Sequence, residues 1–563
     1  MFTFNFVDNT YVLCYIRKGC DIMTKTKSKK NMIKKNKMDE KQEKEQLTMK
    51  KNKKIFIITF VICISILAIF LVKKTLQNDT FYTIKIGKLI LENGIDMKDH
   101  FSFHSNLPYT YPHWLYDVFI YLIYLIGGYT GIYISSIVLF LILIYFLFFA
   151  LYKITNHLSI SAFSTFIATL SLSGFVTARA QLVSFILFAL EVYFIEMFLK
   201  NGKKKYLLFL LLISLAICNI HLAVWPFYFI IFLPYFAEYI LSLIVNKKKD
   251  NKFTLFLKKR FDLDVNSNIK YLFLIMLLSI FTGLITPLKG TPYTYMIKTM
   301  MGNSQKYIAE HQMITWSSSP FVIIMIFEVY FLSLFTRVKI RDLFMITGLT
   351  IMAVTSIRHI SLLALVGIFC FARVFTLYFI NNNLVIDNTI INFMSRKKSV
   401  ICTVLITIMM AGGIYFIQGI KNPDYIDTKT YPVLATEYIK DNLDYKNIRL
   451  FNEYNFGSYL LLNDIPVFID SRADLYTKEF SGLDYDIFDD YKSITKDYQK
   501  VLKFYDISHL LIYKQYPGEK ELSTFYIILK DNSNYNLLYE DDNFALFEKI
   551  NDEDIIITYN QKK

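Results

Sequence analysis

The chain has 563 residues, 54% of them hydrophobic and 17% aromatic, with only 19% charged and a mean hydropathy of +0.36. A soluble chain of this length carries about a quarter charged residues and divides into several cores. Long apolar runs separated by short basic clusters exclude a soluble enzyme, a disordered regulator and a single-span receptor; the chain crosses a membrane many times. The net charge of +15 is uneven. Residues 1–54 hold fifteen Lys/Arg against six Asp/Glu, whereas 419–563 hold seventeen against twenty-six. A basic head and an acidic tail on one membrane chain point to opposite sides, and Lys-rich loops beside apolar spans read as topology signals rather than as a nucleic-acid surface.

In chain order, residues 1–54 are expected to form a disordered cytoplasmic tail, with Met23 a plausible start and no cleavable signal peptide ahead of Ile55. The region 55–418 is expected to be a multi-span transmembrane domain. A span needs about 20 apolar residues, and eleven segments qualify: 55–72, 129–152, 158–175, 182–199, 206–220, 223–245, 270–286, 319–336, 342–357, 359–380 and 399–418. The run 114–126 (WLYDVFIYLIYLI) is short and amphipathic, and reads as a helix lying at the interface. With the N-terminus in the cytoplasm, the clusters KNGKKK (200–205), KKKDNK and KKR (within 246–269), RVKIR (337–341) and SRKK (395–398) all fall on the cytoplasmic side. Three outer segments remain: 73–128, 287–318 and 419–563. The last reads as a small extracytoplasmic α/β domain, with strands at 447–451, 466–470 and 509–513 and helices near 432–442 and 517–530. The fold class is therefore an all-α polytopic membrane protein with a small C-terminal α/β domain. Cys63, Cys218, Cys370 and Cys402 lie in apolar runs as small hydrophobes, and the C-terminal 145 residues contain no cysteine, so no disulfide holds that domain. The abundance of Lys, Ile and Asn fits an AT-rich bacterial genome.

Ionisable residues beside spans are costly and therefore informative. Asp79 follows the first span, Arg179 sits in the outer turn between the third and fourth, and Arg358 and His359 sit between the ninth and tenth. His113, Asp117, Glu310 and His311 fall in outer loops. Charges from separate hairpins converge on one membrane face. Each also has a structural reading: Asp79 as a helix cap, the arginines as lipid-headgroup anchors, His113 as an interfacial anchor beside Trp114, Asp117 as a polar helix face. His100 and His104 at i, i+4 have metal-pair spacing but flank a turn. No P-loop, GxSxG, HExxH or CxxC pattern is present.

Asp79-Thr-Phe-Tyr-Thr-Ile-Lys-Ile-Gly87, Asp99-His-Phe-Ser102, Pro112-His-Trp-Leu-Tyr-Asp117 and Gly127-Gly128 together resemble the first outer loop of bacterial GT-C-type membrane glycosyltransferases, relatives of mannosyltransferases and aminoarabinose transferases. Ala178-Arg179-Ala180-Gln181 is similar to an Arg-Pro-Gln turn, and Ile308-Ala-Glu310-His311 to a Glu-Trp loop, of a poorly characterised branch. Phe451 to Leu460 and Phe468-Ile-Asp470-Ser-Arg472 to Tyr476 resemble its outer domain. The sequence departs from that pattern in having a single Asp79 where several relatives carry an acidic pair, no proline in the turn, and His in place of Trp. The resemblance implies transfer of a sugar from a polyprenyl-phosphate-linked donor to an envelope glycan, glycolipid or protein outside the cell membrane, with inversion. It implies Asp79 as general base and Arg179, Arg358 and His359 as ligands of the leaving phosphate. His113, Asp117, Glu310, His311, Asp470 and Arg472 are implied to contact substrate, the last two either orienting the acceptor or bracing the outer domain. A divalent metal, Mg or Mn, has no motif of its own here.

Three other readings stand beside this one. A lipid-linked saccharide transporter or flippase would use mid-span polar residues such as Glu191, Glu196 and Glu328, and would show internal repeats, none of which is apparent. A glycan polymerase or ligase would share the topology without the Asp79 loop. A catalytically inactive envelope glycan-binding protein would keep the fold.

Overall fold

The structure is a computed structural model that describes residues 10–247, 251–263, 265–301, 320–382, 386–421 and 424–550. It divides into two compact units. One holds Met1–Cys63 and Val385–Ile406; the other holds Ile64–Leu384 and Thr407–Lys563.

The first helix, α1 (Thr10–Leu71), runs unbroken through the basic head that was expected to be disordered. The head has a single glycine and no proline, and its Lys, Glu, Gln and Met residues are good helix formers, so nothing local ends the helix before the first apolar run. In the smaller unit α1 meets a short amphipathic helix, Ile386–Met394: Asn52 Nδ2 donates to Asn392 Oδ1 (2.9 Å) and Ser395 Oγ to the Asn52 carbonyl (2.7 Å).

The larger unit is a helix bundle capped by a mixed sheet. Its helices are α2 (Asn78–Asn93), α3 (Trp114–Thr155), α4 (Leu158–Leu172), α5 (Ala180–Asn201), α6 (Lys205–Ile220), α7 (Trp225–Lys247), α8 (Lys252–Arg260), α9 (Ile269–Ile280), α10 (Thr291–Met301), α11 (Pro320–Phe335), α12 (Ile340–Thr355) and α13 (Ile360–Asn381). With α14 (Ile386–Met394) and α15 (Lys397–Lys421), every one of the eleven segments expected to span coincides with a helix. Seven helices among the described residues are long and apolar enough to cross a membrane; the apolar helices Lys205–Ile220, Ile269–Leu284 and Pro320–Phe335 are shorter. The protein is a polytopic membrane protein.

The short run 114–126 is the first arm of α3. Gly128, at φ 58°, ψ −147°, breaks that helix into an arm and a span, a conformation that glycine alone adopts at little cost. The centre of the bundle is α13, buried at every position from Ile360 to Ala372; a helix apolar all round is enclosed by protein or lipid on all sides. Where α13 passes α11, a Cβ on Gly367 would lie 2.8 Å from Met325 Cε. Small residues of this kind let spanning helices approach closely enough for dispersion to hold them.

After α15 come α16 (Val433–Asn442), β1 (Leu450–Asn452), α17 (Tyr454–Leu462), α18 (Ile487–Phe504), β2 (His509–Tyr513), α19 (Thr524–Lys530), β3 (Tyr535–Glu540) and β4 (Phe544–Lys549). The sheet order is β1-β2-β4-β3, with β1 parallel to β2 and the other pairs antiparallel. The strand expected at 466–470 is absent from this sheet. Val467 instead pairs with the loop between α2 and α3: its N–H donates to the Phe101 carbonyl and its carbonyl accepts from the Phe103 N–H, both at 3.2 Å. Alternating apolar residues made the segment strand-like, and tertiary structure used it to fasten loop to domain.

Candidate functional site

A cavity of about 1200 Å³ opens where α2, the turns before α5 and α13, the start of α7, and α10 meet the C-terminal domain. Asp79, His113, Arg179, Arg358, His359 and Arg472 all lie on its wall.

Asp79 occupies the first turn of α2. It does not serve as the N-cap, a position held by Gln77 with no side-chain cap bond. Its Oδ2 is instead 2.7 Å from an Arg179 terminal nitrogen, both side chains being about a fifth exposed. Arg179 is the residue at which the chain turns into α5, in extended conformation (φ −129°, ψ 155°). Thr80 Oγ1 donates to the Ala178 carbonyl at 3.3 Å, a second tie between the same two elements. Tyr82, two residues beyond Thr80 on α2, sits beside this pair, its hydroxyl kept protonated by burial and then by the charges of Asp79 and Asp117.

Arg358 and His359 lie in the single 3-10 turn that leads into α13. The His359 Nδ1 is 2.9 Å from the Met352 carbonyl. A carbonyl only accepts, so Nδ1 carries the proton and, in the neutral ring, Nε2 presents a lone pair rather than a donor. Arg358 has no ion pair or side-chain hydrogen bond among the described residues, which leaves an arginine without a counter-ion on a cavity wall. Neutral His359 is thus poorly suited to a phosphate and Arg358 well suited.

His113 ends the loop before α3. Its ring lies 4.9 Å from that of His221, Tyr82's hydroxyl is 3.5 Å from its Nδ1, and His221 Nδ1 is 2.8 Å from Ser184 Oγ. Burial, and then the charges of Arg179 and Arg358, push His113 down to about 3. His221 is lowered too, by burial first and then by His113 and the arginines. Both rings are therefore neutral near pH 7.

Arg472 braces. Its guanidinium takes both oxygens of Asp470 (2.9 and 2.7 Å) and Asp99 Oδ1 (2.6 Å), and Tyr476 donates to Asp470 Oδ2 at 2.5 Å. Asp470 is buried and does not line the cavity. Burial acts to raise Asp99, but the Arg472 charge and the hydrogen bonds from Ser102 outweigh it and hold the carboxyl below the usual range. Arg472 also lies over the Tyr109 ring, 5.0 Å from its centroid.

Other expected sites fall elsewhere. Asp117 is sealed between α2 and α3 without exposure, its carboxyl raised by burial against a hydrogen bond from Thr83, and lies off the cavity wall. It is neither a polar helix face nor placed to touch substrate, because α2 packs so closely that a Cβ on Gly87 would sit 2.1 Å from the Asp117 carbonyl. His100 pairs with Asp96 (2.7 Å) and His104 with the Phe468 carbonyl (2.8 Å), so the two do not share a ligand. Glu310 and His311 lie outside the described residues. Among the described residues no three His, Cys, Asp or Glu side chains converge as metal ligands. One wall residue carried no sequence signal: Tyr295, whose hydrogen bond to Asp474 (2.6 Å) joins α10 to the C-terminal domain.

Solved structures that share this fold include an archaeal oligosaccharyltransferase and ArnT. The archaeal oligosaccharyltransferase AglB from Archaeoglobus fulgidus, in complex with an inhibitory peptide and a dolichol-phosphate, matches with TM-score 0.52 and 11% identity over 81% of this chain and 69% of its own. ArnT from Cupriavidus metallidurans, bound to undecaprenyl phosphate, matches with TM-score 0.51 and 9% identity over 87% of this chain and 97% of its own. At such identities the likeness is one of fold. No protein-family model matches the chain, and no curated protein matches it by sequence.

Proposed function

We propose that the protein is an inverting membrane glycosyltransferase that moves a sugar from a polyprenyl-phosphate donor to an acceptor hydroxyl outside the cytoplasm. The acceptor is an envelope glycan, a glycolipid or a protein. The reading places the N-terminus in the cytoplasm of a cell membrane and the C-terminal domain outside. The observation that carries it is that the Asp79–Arg179 pair and Arg358, which has no counter-ion among the described residues, line one cavity.

A carboxylate and a cation without a counter-ion among the described residues, lining one cavity, suit a displacement in which a proton is taken up at one end while negative charge develops at the other. Asp79 accepts the acceptor's hydroxyl proton as that oxygen attacks the anomeric carbon. The bond from the anomeric carbon to the phosphate oxygen breaks, and polyprenyl phosphate leaves with the electron pair. Arg358 stabilises that charge from a partly enclosed wall where it keeps much of its strength. Arg179 has five donors, enough to hold Asp79 in place and also reach the phosphate. Neutral His113 orients hydroxyl groups without adding charge. The nearby solved structures are bound to dolichol-phosphate and undecaprenyl phosphate, which supports a lipid-phosphate donor here.

The test is to offer the purified protein a panel of polyprenyl-phosphate sugars together with envelope extract and to follow release of polyprenyl phosphate. At least one donor is expected to be consumed, with transfer of its sugar. Consumption of none, by protein that remains folded, would contradict the reading.

A further inference from the structure

A second cavity, of about 280 Å³, lies at the other end of the bundle. Glu196 on its wall is sixteen residues along α5 from Ala180, or about 24 Å at 1.5 Å per residue. Around it, side chains from α5, α7, α12 and α13 form a buried ion cluster. Glu196 Oε1 accepts from Tyr235 (2.8 Å) and Arg373 (3.0 Å), and Oε2 from Arg341 (2.8 Å). Both Glu238 oxygens are taken by the Arg341 backbone N–H and guanidinium at 3.4 Å. Arg373 Nε donates to both Asp342 oxygens, at 3.0 and 3.2 Å.

All six carboxylate oxygens of the cluster are thus engaged, and the donors are not. Arg341 Nε is buried without a partner. Tyr239's hydroxyl has no hydrogen bond among the described residues. Among the described residues Lys339 is ion-paired with Asp262 at 3.9 Å, beyond hydrogen-bond reach, and Lys200 hydrogen-bonds the Lys153 carbonyl at 3.3 Å. All four residues line the same cavity. A half-enclosed space in which acceptors are used up and cationic donors are left over selects an oxyanion. The two lysines also come from the basic clusters at 200–205 and 337–341, which in the sequence read only as topology signals.

We propose that this second cavity binds a phosphate oxyanion, carried on an anionic lipid headgroup or free in solution. Basic pockets between spanning helices are a recurrent way of holding such headgroups. The site is separate from the sugar-transfer cavity and stands whether or not that reading holds.

The experiment uses the full chain and two probes. Native mass spectrometry compares retention of phosphatidylglycerol and phosphatidylcholine by protein released from mixed vesicles, and thermal unfolding in detergent is followed against inorganic phosphate. The variant is Lys200→Gln with Lys339→Gln, which leaves the buried cluster intact; an unchanged unfolding temperature without ligand verifies this, and Lys200→Arg with Lys339→Arg serves as the charge-preserving control. Wild type is expected to prefer phosphatidylglycerol, or to be stabilised by phosphate where the source is the free ion. The glutamine pair should lose about thirtyfold of that affinity, and the arginine pair should keep it. Equal retention of both lipids with no response to phosphate would overturn the proposal, as would anion binding undiminished in the glutamine pair.

Discussion

Asp79 Oδ2 and an Arg179 guanidinium nitrogen lie 2.7 Å apart, joining the first turn of α2 to the entry of α5. The pair fixes both groups on the cavity wall, and its partial exposure leaves them reachable. An arginine that holds the base and also approaches the leaving phosphate acts through geometry as well as charge, so replacing it with lysine, which lacks the planar fork, is not conservative. Arg179→Lys is expected to reduce turnover of a polyprenyl-phosphate donor more than it raises KM, in steady-state kinetics at matched protein. Turnover equal to wild type would detach Arg179 from the reaction.

Arg358 gives a different signature. With no counter-ion among the described residues to misplace, its loss removes one stabilising donor and leaves the surrounding fold unchanged. Arg358→Ala is expected to slow transfer by about 10²–10³-fold, the usual effect of removing one donor to a developing oxyanion, with an unchanged unfolding temperature. His359→Gln is expected to matter much less, because the His359 proton is already given to the Met352 carbonyl. Comparable losses for the two variants would contradict this division of roles.

Arg472 is a matter of stability. It compensates Asp99 and Asp470, all three side chains being at most 2% exposed. Arg472→Met strands two buried carboxylates, and breaking such a pair costs about 3–5 kcal/mol, which calorimetry or protease resistance of the outer loop would register. The pH dependence follows from Asp99, held below its ordinary value by Arg472 and Ser102 against the effect of burial. A depressed carboxyl contributes stability that is complete above the unfolded value of about 3.9 and is lost as pH falls through the lower folded value. Intrinsic fluorescence should therefore stay constant from pH 7 to about 4 and change only below. A transition near pH 6 would point to another group.

His113, depressed to about 3, is neutral across the physiological range. Because the unfolded ring takes up a proton below about 6.5, this burial costs stability as pH falls below that value. It adds no limb to the rate profile between pH 5 and 8. A limb near 6.5 that disappears in His113→Asn would show the ring to be charged in use.

Gly87 reports on the scaffold beneath the site. Its Cβ in Gly87→Ala would meet the Asp117 carbonyl at 2.1 Å, forcing α2 from α3 at about 1–3 kcal/mol, the usual cost of overpacking. Gly412, with nothing within 4 Å of an added Cβ, should tolerate alanine. Thermal unfolding of the two variants separates close packing from a general intolerance of substitution.

Much of the architecture was legible in the sequence because the bilayer imposes a length on each apolar run. The eleven segments and the hairpin turns carrying Arg179 and Arg358 were placed by that rule and by basic clusters alone, while 114–126, read as a separate interfacial helix, is an arm joined to α3 through the break at Gly128. Less was legible where tertiary partners decide the outcome. Residues 466–470 alternate like a strand whether they join a sheet or a loop. Asp117 has the spacing of a polar helix face, and only the contact at Gly87 seals it. The His113–His221 ring contact, the Tyr295–Asp474 bond and the cluster around Glu196 link residues far apart in the chain, with no local pattern to announce them. The basic head, expected to be disordered, is helical from Thr10 onward, as its many good helix formers favour.

The most direct measurement is transfer of a labelled sugar by Asp79→Asn beside wild type, at equal protein and equal unfolding temperature. Asparagine preserves the shape of the side chain and removes the proton acceptor, and general-base catalysis contributes about 10²–10⁴-fold. The account predicts a loss of that size, with lipid-phosphate binding retained because Arg358 is untouched. A variant that transfers sugar at the wild-type rate would contradict it.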